Sequence, residues 1–139
     1  MSRQFLDTNV LLYAYDASAG ERHERAAQLV LRLARTHHAA ISVQVMQEFY
    51  VNAVAKIAEP MAPDDALARL SAFGRWYVYS PLPGDVTEAA RLAQRHQLSF
   101  WDAMVVHSAG QLGCGVLWTE DLNPGQTIGG VTIRNPFAD

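Results

Sequence analysis

The sequence predicts an α/β fold, a central parallel sheet with helices on both faces. Three observations predict it. Short apolar runs alternate with longer amphipathic stretches along the whole chain, and strands that alternate with helices pair in parallel and are covered on both faces. The chain has 139 residues, 50% hydrophobic and 18% charged, which is globular composition with enough apolar surface for one core. There is no internal repeat, low-complexity tract or linker, so the alternation is expected to form a single domain over residues 1–139.

The elements follow in order. Phe5 and Leu6 open a first short strand, which ends at Asp7, Thr8 and Asn9. Residues 10–16 read as a helical segment. Residues 21–37 form a strong helix, with Ala26, Val30, Leu33 and Ala34 on one face and Glu24, Arg25, Arg32 and Arg35 mostly outside it. Residues 39–42 are a short apolar strand. Residues 43–57 are helical, with Val45, Phe49 and Ala53 suitably spaced, and Pro60 and Pro63 end that stretch. Asp64 and Asp65 start a helix over 66–73, well placed against its N-terminal dipole. Residues 76–79 are an aromatic strand, followed by the loop Pro81, Leu82, Pro83 and Gly84. Helices are predicted over 85–97 and 100–112, the latter closed by Gly113. Strands follow over 116–119 and 131–133, with a turn at Asn123, Pro124 and Gly125, and Gly129 and Gly130 are read as another turn.

Composition narrows the function classes. A formal net charge of -3 argues against a purely electrostatic nucleic-acid binder, which carries a strong basic excess, but leaves open an enzyme acting on nucleic acid. The one cysteine, Cys114, excludes an intramolecular disulfide and any multi-cysteine zinc site. The N-terminus has no room for a signal peptide before Asp7, and no apolar run approaches a membrane span, so a soluble cytoplasmic protein is expected. Ten of the eleven bases are arginine; these suit phosphate contacts, although codon usage in a GC-rich genome explains the bias more simply.

In a parallel sheet, helix N-termini and strand C-termini share one edge, and ligands bind in the crevice there. Four acids are predicted on that edge. Asp7 follows the first strand. Glu48 lies in the second turn of the helix after the second strand and leans back toward its N-terminus. Asp102 lies in the first turn of its helix, three residues after Ser99. Asp121 follows the strand over 116–119. Each acid also has an ordinary structural role available. Asp7 can cap a helix, Ser99 and Asp102 have capping-box spacing, and Asp121 precedes a turn. Glu48 fits such a role least, because it stands among apolar residues. Taken singly, those roles suffice for Asp102 and Asp121; taken jointly, convergence on one edge favours a site.

Like charges brought together cannot all stay ionised without compensation, so either their pKa values rise or a cation joins them. Oxygen-only ligands suit Mg²⁺ or Mn²⁺. Such ions retain water and can hold the attacking and leaving oxygens of a phosphodiester in line, so metal-assisted phosphodiester hydrolysis is the reaction this set suits best. Asn9 and Thr119 flank the acids and can orient a carboxylate or a metal-bound water; helix capping and strand propensity are their ordinary alternatives. The five histidines form no motif, and there is no glycine-rich dinucleotide motif or P-loop.

Residues 5–13, beginning Phe5, Leu6, Asp7, Thr8 and Asn9, resemble the opening motif of PIN domain nucleases. Residues 45–50 around Glu48 resemble their second acidic motif, residues 98–103 around Asp102 the third, and residues 117–123 with Thr119 and Asp121 the fourth. The four occur in order over nearly the whole chain, whose length is similar to that of VapC-type toxins of bacterial toxin–antitoxin pairs. The resemblance implies a three-layer α/β/α fold and Mg²⁺- or Mn²⁺-dependent endoribonuclease activity. Asp7, Glu48, Asp102 and Asp121 are then its acidic, metal-binding and catalytic residues, with Glu120 an open question beside Asp121. It also implies a homodimer and a VapB-like antitoxin that blocks the site. Met46, Tyr50, Met61, Trp76, Tyr77 and Tyr79 exceed what a core must use, although core packing accounts for most such side chains.

Three other readings are weighed against this one. A phosphatase using Asp7 as nucleophile, as in the haloacid dehalogenase superfamily, wants a second aspartate where Asn9 stands. A non-catalytic PIN-like scaffold is disfavoured by the presence of all four acids. A PIN nuclease outside toxin–antitoxin pairs, processing RNA or acting on DNA, remains open, because no residue here identifies a 2′-hydroxyl contact.

Overall fold

Strand β1 (Gln4–Leu6) is only three residues long, yet all three are buried, because it lies in the middle of a sheet with a parallel partner on each side. This is a computed structural model describing residues 2–138. The strands after it are β2 (Ala39–Ser42), β3 (Tyr77–Tyr79), β4 (Val116–Trp118), β5 (Thr127–Ile128) and β6 (Val131–Arg134). They form one six-stranded sheet in the order β3-β2-β1-β4-β6-β5. All pairs are parallel except β5 with β6.

The helices are α1 (Thr8–Ala14), α2 (Glu21–Arg35), α3 (Val43–Ala55), α4 (Pro63–Phe73), α5 (Pro83–His96) and α6 (Phe100–Gln111). On one side of the sheet α1 packs between α2 and α3, and α4 packs on α3. α5 and α6 pair on the other, where α6 crosses β2, β3, β4 and β6. The result is the expected three layers. Local chemistry starts five of these six helices. Asp7 caps α1, the Ser42 hydroxyl accepts the Val45 N–H at the start of α3, and the Ser99 hydroxyl accepts the Asp102 N–H at the start of α6. α4 and α5 open on Pro63 and Pro83, whose missing N–H costs nothing in a first turn.

Phe5, Leu6, Leu11, Ile41, Val45, Phe49, Leu117 and Ile133 are fully buried between the layers. Phe49 packs edge-on against Phe73, which touches Trp76 in turn. Met46, Met61 and Trp76 pack partly buried against this core, and Tyr79 gives its hydroxyl to Asp85, so much of the apparent apolar surplus is core. Tyr77 is more exposed, with the Arg3 guanidinium 3.9 Å from its ring centre.

One strand lay outside the sequence reading. Gly129 and Gly130 have φ of 56° and 83°, the pair of left-handed conformations a two-residue hairpin turn requires, and they fold β5 back antiparallel onto β6. Among the described residues, no helix is long and apolar enough to cross a membrane.

Candidate active site

The chain leaves β1 toward β2 on one side and reaches β4 on the other, so the crossover direction reverses between β1 and β4. Such a reversal opens a crevice beyond the C-terminal ends of those two strands. The first and fourth motifs meet there. The Asp7 N–H donates to the Trp118 carbonyl at 3.1 Å, tying the end of β1 to the end of β4.

Asp7 is 9% exposed. Its Oδ1 accepts the Thr8 N–H at 2.8 Å, and its Oδ2 accepts the Thr119 hydroxyl at 2.8 Å. Burial nonetheless pushes its pKa up to about 6, with the charges of Asp121 and Glu48 adding to the rise against the pull of those two hydrogen bonds. The Thr119 hydroxyl, almost wholly buried, also accepts the Asp121 N–H at 3.1 Å. One oxygen thereby fixes two acids relative to each other.

The Asn9 amide donates to Asp121 Oδ2 at 3.2 Å, so the helix-capping alternative for Asn9 falls to Asp7. Burial also raises the Asp121 pKa, followed by the charges of Asp102, Glu120 and Glu48. Glu48 Oε1 accepts the Thr8 hydroxyl and the Gln44 amide, each at 3.2 Å. Asp102 stands in the first turn of α6, where Ser99 makes the capping bond its spacing suggested. The four acids thus share one electrostatic neighbourhood: Glu48 acts on both aspartates at the strand ends, and Asp102 acts on Asp121.

Glu120 is held differently from Asp121. Its carboxylate accepts the Tyr13 hydroxyl at 2.9 Å and pairs with the Arg22 guanidinium at 3.2 Å. Thr8, Gln44, Tyr13 and Arg22 were missed in the sequence. Gln44 had a signal, being four residues before Glu48 on one helix. Thr8, Tyr13 and Arg22 had none, because their partners come from distant segments.

The donor set is made of carboxylates alone, which suits a hard divalent cation. A cation would relieve the repulsion and desolvation that raise Asp7 and Asp121. Among the described residues, no three His, Cys, Asp or Glu side chains are already closed into a metal cage. A Mg²⁺ site held by one or two carboxylates and water needs no such cage.

Residues 5–127 match the family model of the PIN domain. No curated protein matches the sequence significantly. Among solved structures, a toxin–antitoxin complex from Klebsiella pneumoniae is similar at 23% identity and a TM-score of 0.66, covering 98% of each chain. A DNA-bound VapBC from Salmonella typhimurium is similar at 20% identity and a TM-score of 0.64, covering 98% of this chain and 99% of that one. A Sarcin-Ricin loop cleaving toxin from Mycobacterium tuberculosis is similar at 18% identity and a TM-score of 0.61, covering 82% and 86%. At these identities the likeness is one of fold. The family match spans all four acids, the fold is the three-layer one its members share, and the chain belongs to the PIN domain family.

Proposed function

We propose that the protein is a metal-dependent endoribonuclease, the toxin of a toxin–antitoxin pair, working as a homodimer of single-domain subunits. The observation that carries the reading is that Asp7 and Asp121 are held by one Thr119 hydroxyl at the β1/β4 crevice, within reach of the charges of Glu48 and Asp102. Asp7, Glu48, Asp102 and Asp121 would hold Mg²⁺ or Mn²⁺ directly or through water. The ion, when bound, supplies an activated water and neutralises charge on the scissile phosphate.

The chain's own part is orientation. Thr119 and the Thr8 N–H fix both oxygens of Asp7, Asn9 fixes Asp121, and Thr8 with Gln44 aims Glu48. Asp7, its pKa raised to about 6 by burial, would hold the ion as a carboxylate, and a bound cation would favour that ionised form. Tyr13 and Arg22 hold Glu120 by both oxygens, which supports Asp121 as the fourth acid of the set.

An antitoxin is the partner this reading implies. Similar folds were solved in toxin–antitoxin complexes. A groove of about 300 Å³ between α1, α2 and α4, lined by Tyr15, Leu31, Arg69 and Trp76, suits an amphipathic helix; Leu31 on its wall is half exposed.

The test is hydrolysis of single-stranded RNA. Cleavage is expected with Mg²⁺ or Mn²⁺, lost on chelation, and reduced at least a hundredfold by Asp7→Ala. Undiminished cleavage by Asp7→Ala would overturn the site.

A further inference from the structure

Three cavities that share lining residues form an arginine-lined groove along α2 and over β4 and β6. In β6, Val131 and Ile133 are buried, whereas Thr132 and Arg134 alternate with them and point to the opposite side. That side, over β4 and β6, carries a cavity of about 590 Å³ lined by Trp118, Thr132 and Arg134. A second cavity of about 360 Å³ shares Trp118 and Pro136 with it and is walled by Arg25 and Arg32 of α2. A third, of about 210 Å³, shares Arg25 and adds Arg22. Arg22 in turn reaches Glu120, next to Asp121. Arg22, Arg25 and Arg32 lie three and seven residues apart, one face of a helix, and span ~15 Å at 1.5 Å per residue.

Charge and ring placement favour one occupant. Arg22 and Arg25 pair with Glu120 and Glu21. Among the described residues, Arg32 and Arg134 have no acidic partner. Trp118 is the residue directly before Thr119. Its indole N–H is fixed on the Gln4 amide oxygen at 2.7 Å, and the Arg134 guanidinium lies 6.0 Å from its ring centre. Planar, permanently charged guanidinium groups bind phosphates bidentately, and an aromatic face beside them accepts a base of any identity.

We propose that this groove tracks single-stranded RNA on one side of the cleaved bond, with Arg32 and Arg134 binding backbone phosphates and Trp118 stacking a base. The proposal rests on the nuclease reading and extends it. It makes the enzyme read length and strandedness through the backbone, away from the acids. It also gives the arginine-rich composition a use on a protein whose net charge is -3.

The experiment compares wild type with Arg32→Gln/Arg134→Gln, using a labelled single-stranded RNA of about twelve nucleotides and a dinucleotide substrate. Both arginines are exposed, and matching thermal melts confirm an intact fold. The double variant is expected to bind the longer RNA about tenfold more weakly, and its salt slope should fall by about 1.4, roughly 0.7 for each lost phosphate contact. Its dinucleotide hydrolysis should be unchanged, and lysines at both positions should restore most of the affinity. Unchanged affinity and salt slope in a protein that still cleaves RNA overturns the groove and leaves the nuclease standing. Equal loss on both substrates overturns it too, as does weaker self-association or antitoxin binding with RNA affinity intact. No binding and no cleavage by wild type overturns the nuclease reading itself.

Discussion

The carboxyl of Asp7 sits between the Thr8 N–H and the Thr119 hydroxyl, and burial still carries its pKa up to about 6. In the unfolded chain an aspartate titrates near 4, so ionising Asp7 costs the folded state stability. The cost is absent below about pH 4, grows as pH rises through 6, and is constant above. Asp7→Asn removes it while keeping an oxygen for the Thr8 N–H and offering an N–H to Thr119. Metal-free Asp7→Asn is therefore expected to be more stable than wild type at pH 8, by about 2–3 kcal/mol, with the difference gone near pH 4. Thermal melts of both proteins at the two pH values check this, and a gap independent of pH would contradict it. At this scale the acids were legible, because a strand end or a first helical turn fixes a residue's position locally. Asn9 and Thr119 were legible too, as flanking residues able to orient a carboxylate, although only the contact of β4 with β1 turns the Thr119 hydroxyl toward Asp7. Thr8 was not, because its partner Glu48 comes from a distant segment.

The helices and strands were legible wherever an apolar period ran unbroken, and β2 was read to the residue. Proline shifts two helix starts: α4 and α5 begin on Pro63 and Pro83, ahead of the first-turn acids Asp64, Asp65 and Asp85. β5 was missed because two residues carry no period at all. The link between β3, α5 and α6 was not legible either. Asp85, in the first turn of α5, accepts the Leu82 N–H, the Tyr79 hydroxyl at 2.6 Å and a hydrogen bond with His107 at 2.7 Å. These bonds, His107 first, hold its carboxyl down to about 2. The stabilisation they bring is fully present above the unfolded value near 4 and is lost as pH falls toward 2. Asp85→Ala is expected to lower the melting temperature by several degrees at pH 6 and to match wild type near pH 2. An equal deficit at both pH values would show that Asp85 acts through packing and not through its charge.

In the whole molecule, the sheet order explains why Asp7 and Asp121 meet. β1 is central, the crossovers depart from it in opposite directions, and the crevice falls where the first and last motifs end. Alternation of strands and helices was enough to expect a parallel sheet. It could not give the strand order, the antiparallel edge or the bare face beside β4, which depend on how much sheet the helices cover. The net charge of -3 likewise hid an uneven distribution, with acids gathered at the crevice and arginines along the neighbouring groove. The proposed function stands on one divalent-cation site at the crevice acids. Its most direct measurement is a calorimetric titration of Mn²⁺ into metal-free wild type, Asp7→Ala and Asp121→Asn. Saturable binding to wild type is expected, weakened at least about tenfold in both variants, with RNA cleavage rising along the same occupancy curve. Equal Mn²⁺ affinity in all three proteins, or full RNA cleavage without bound metal, would contradict it.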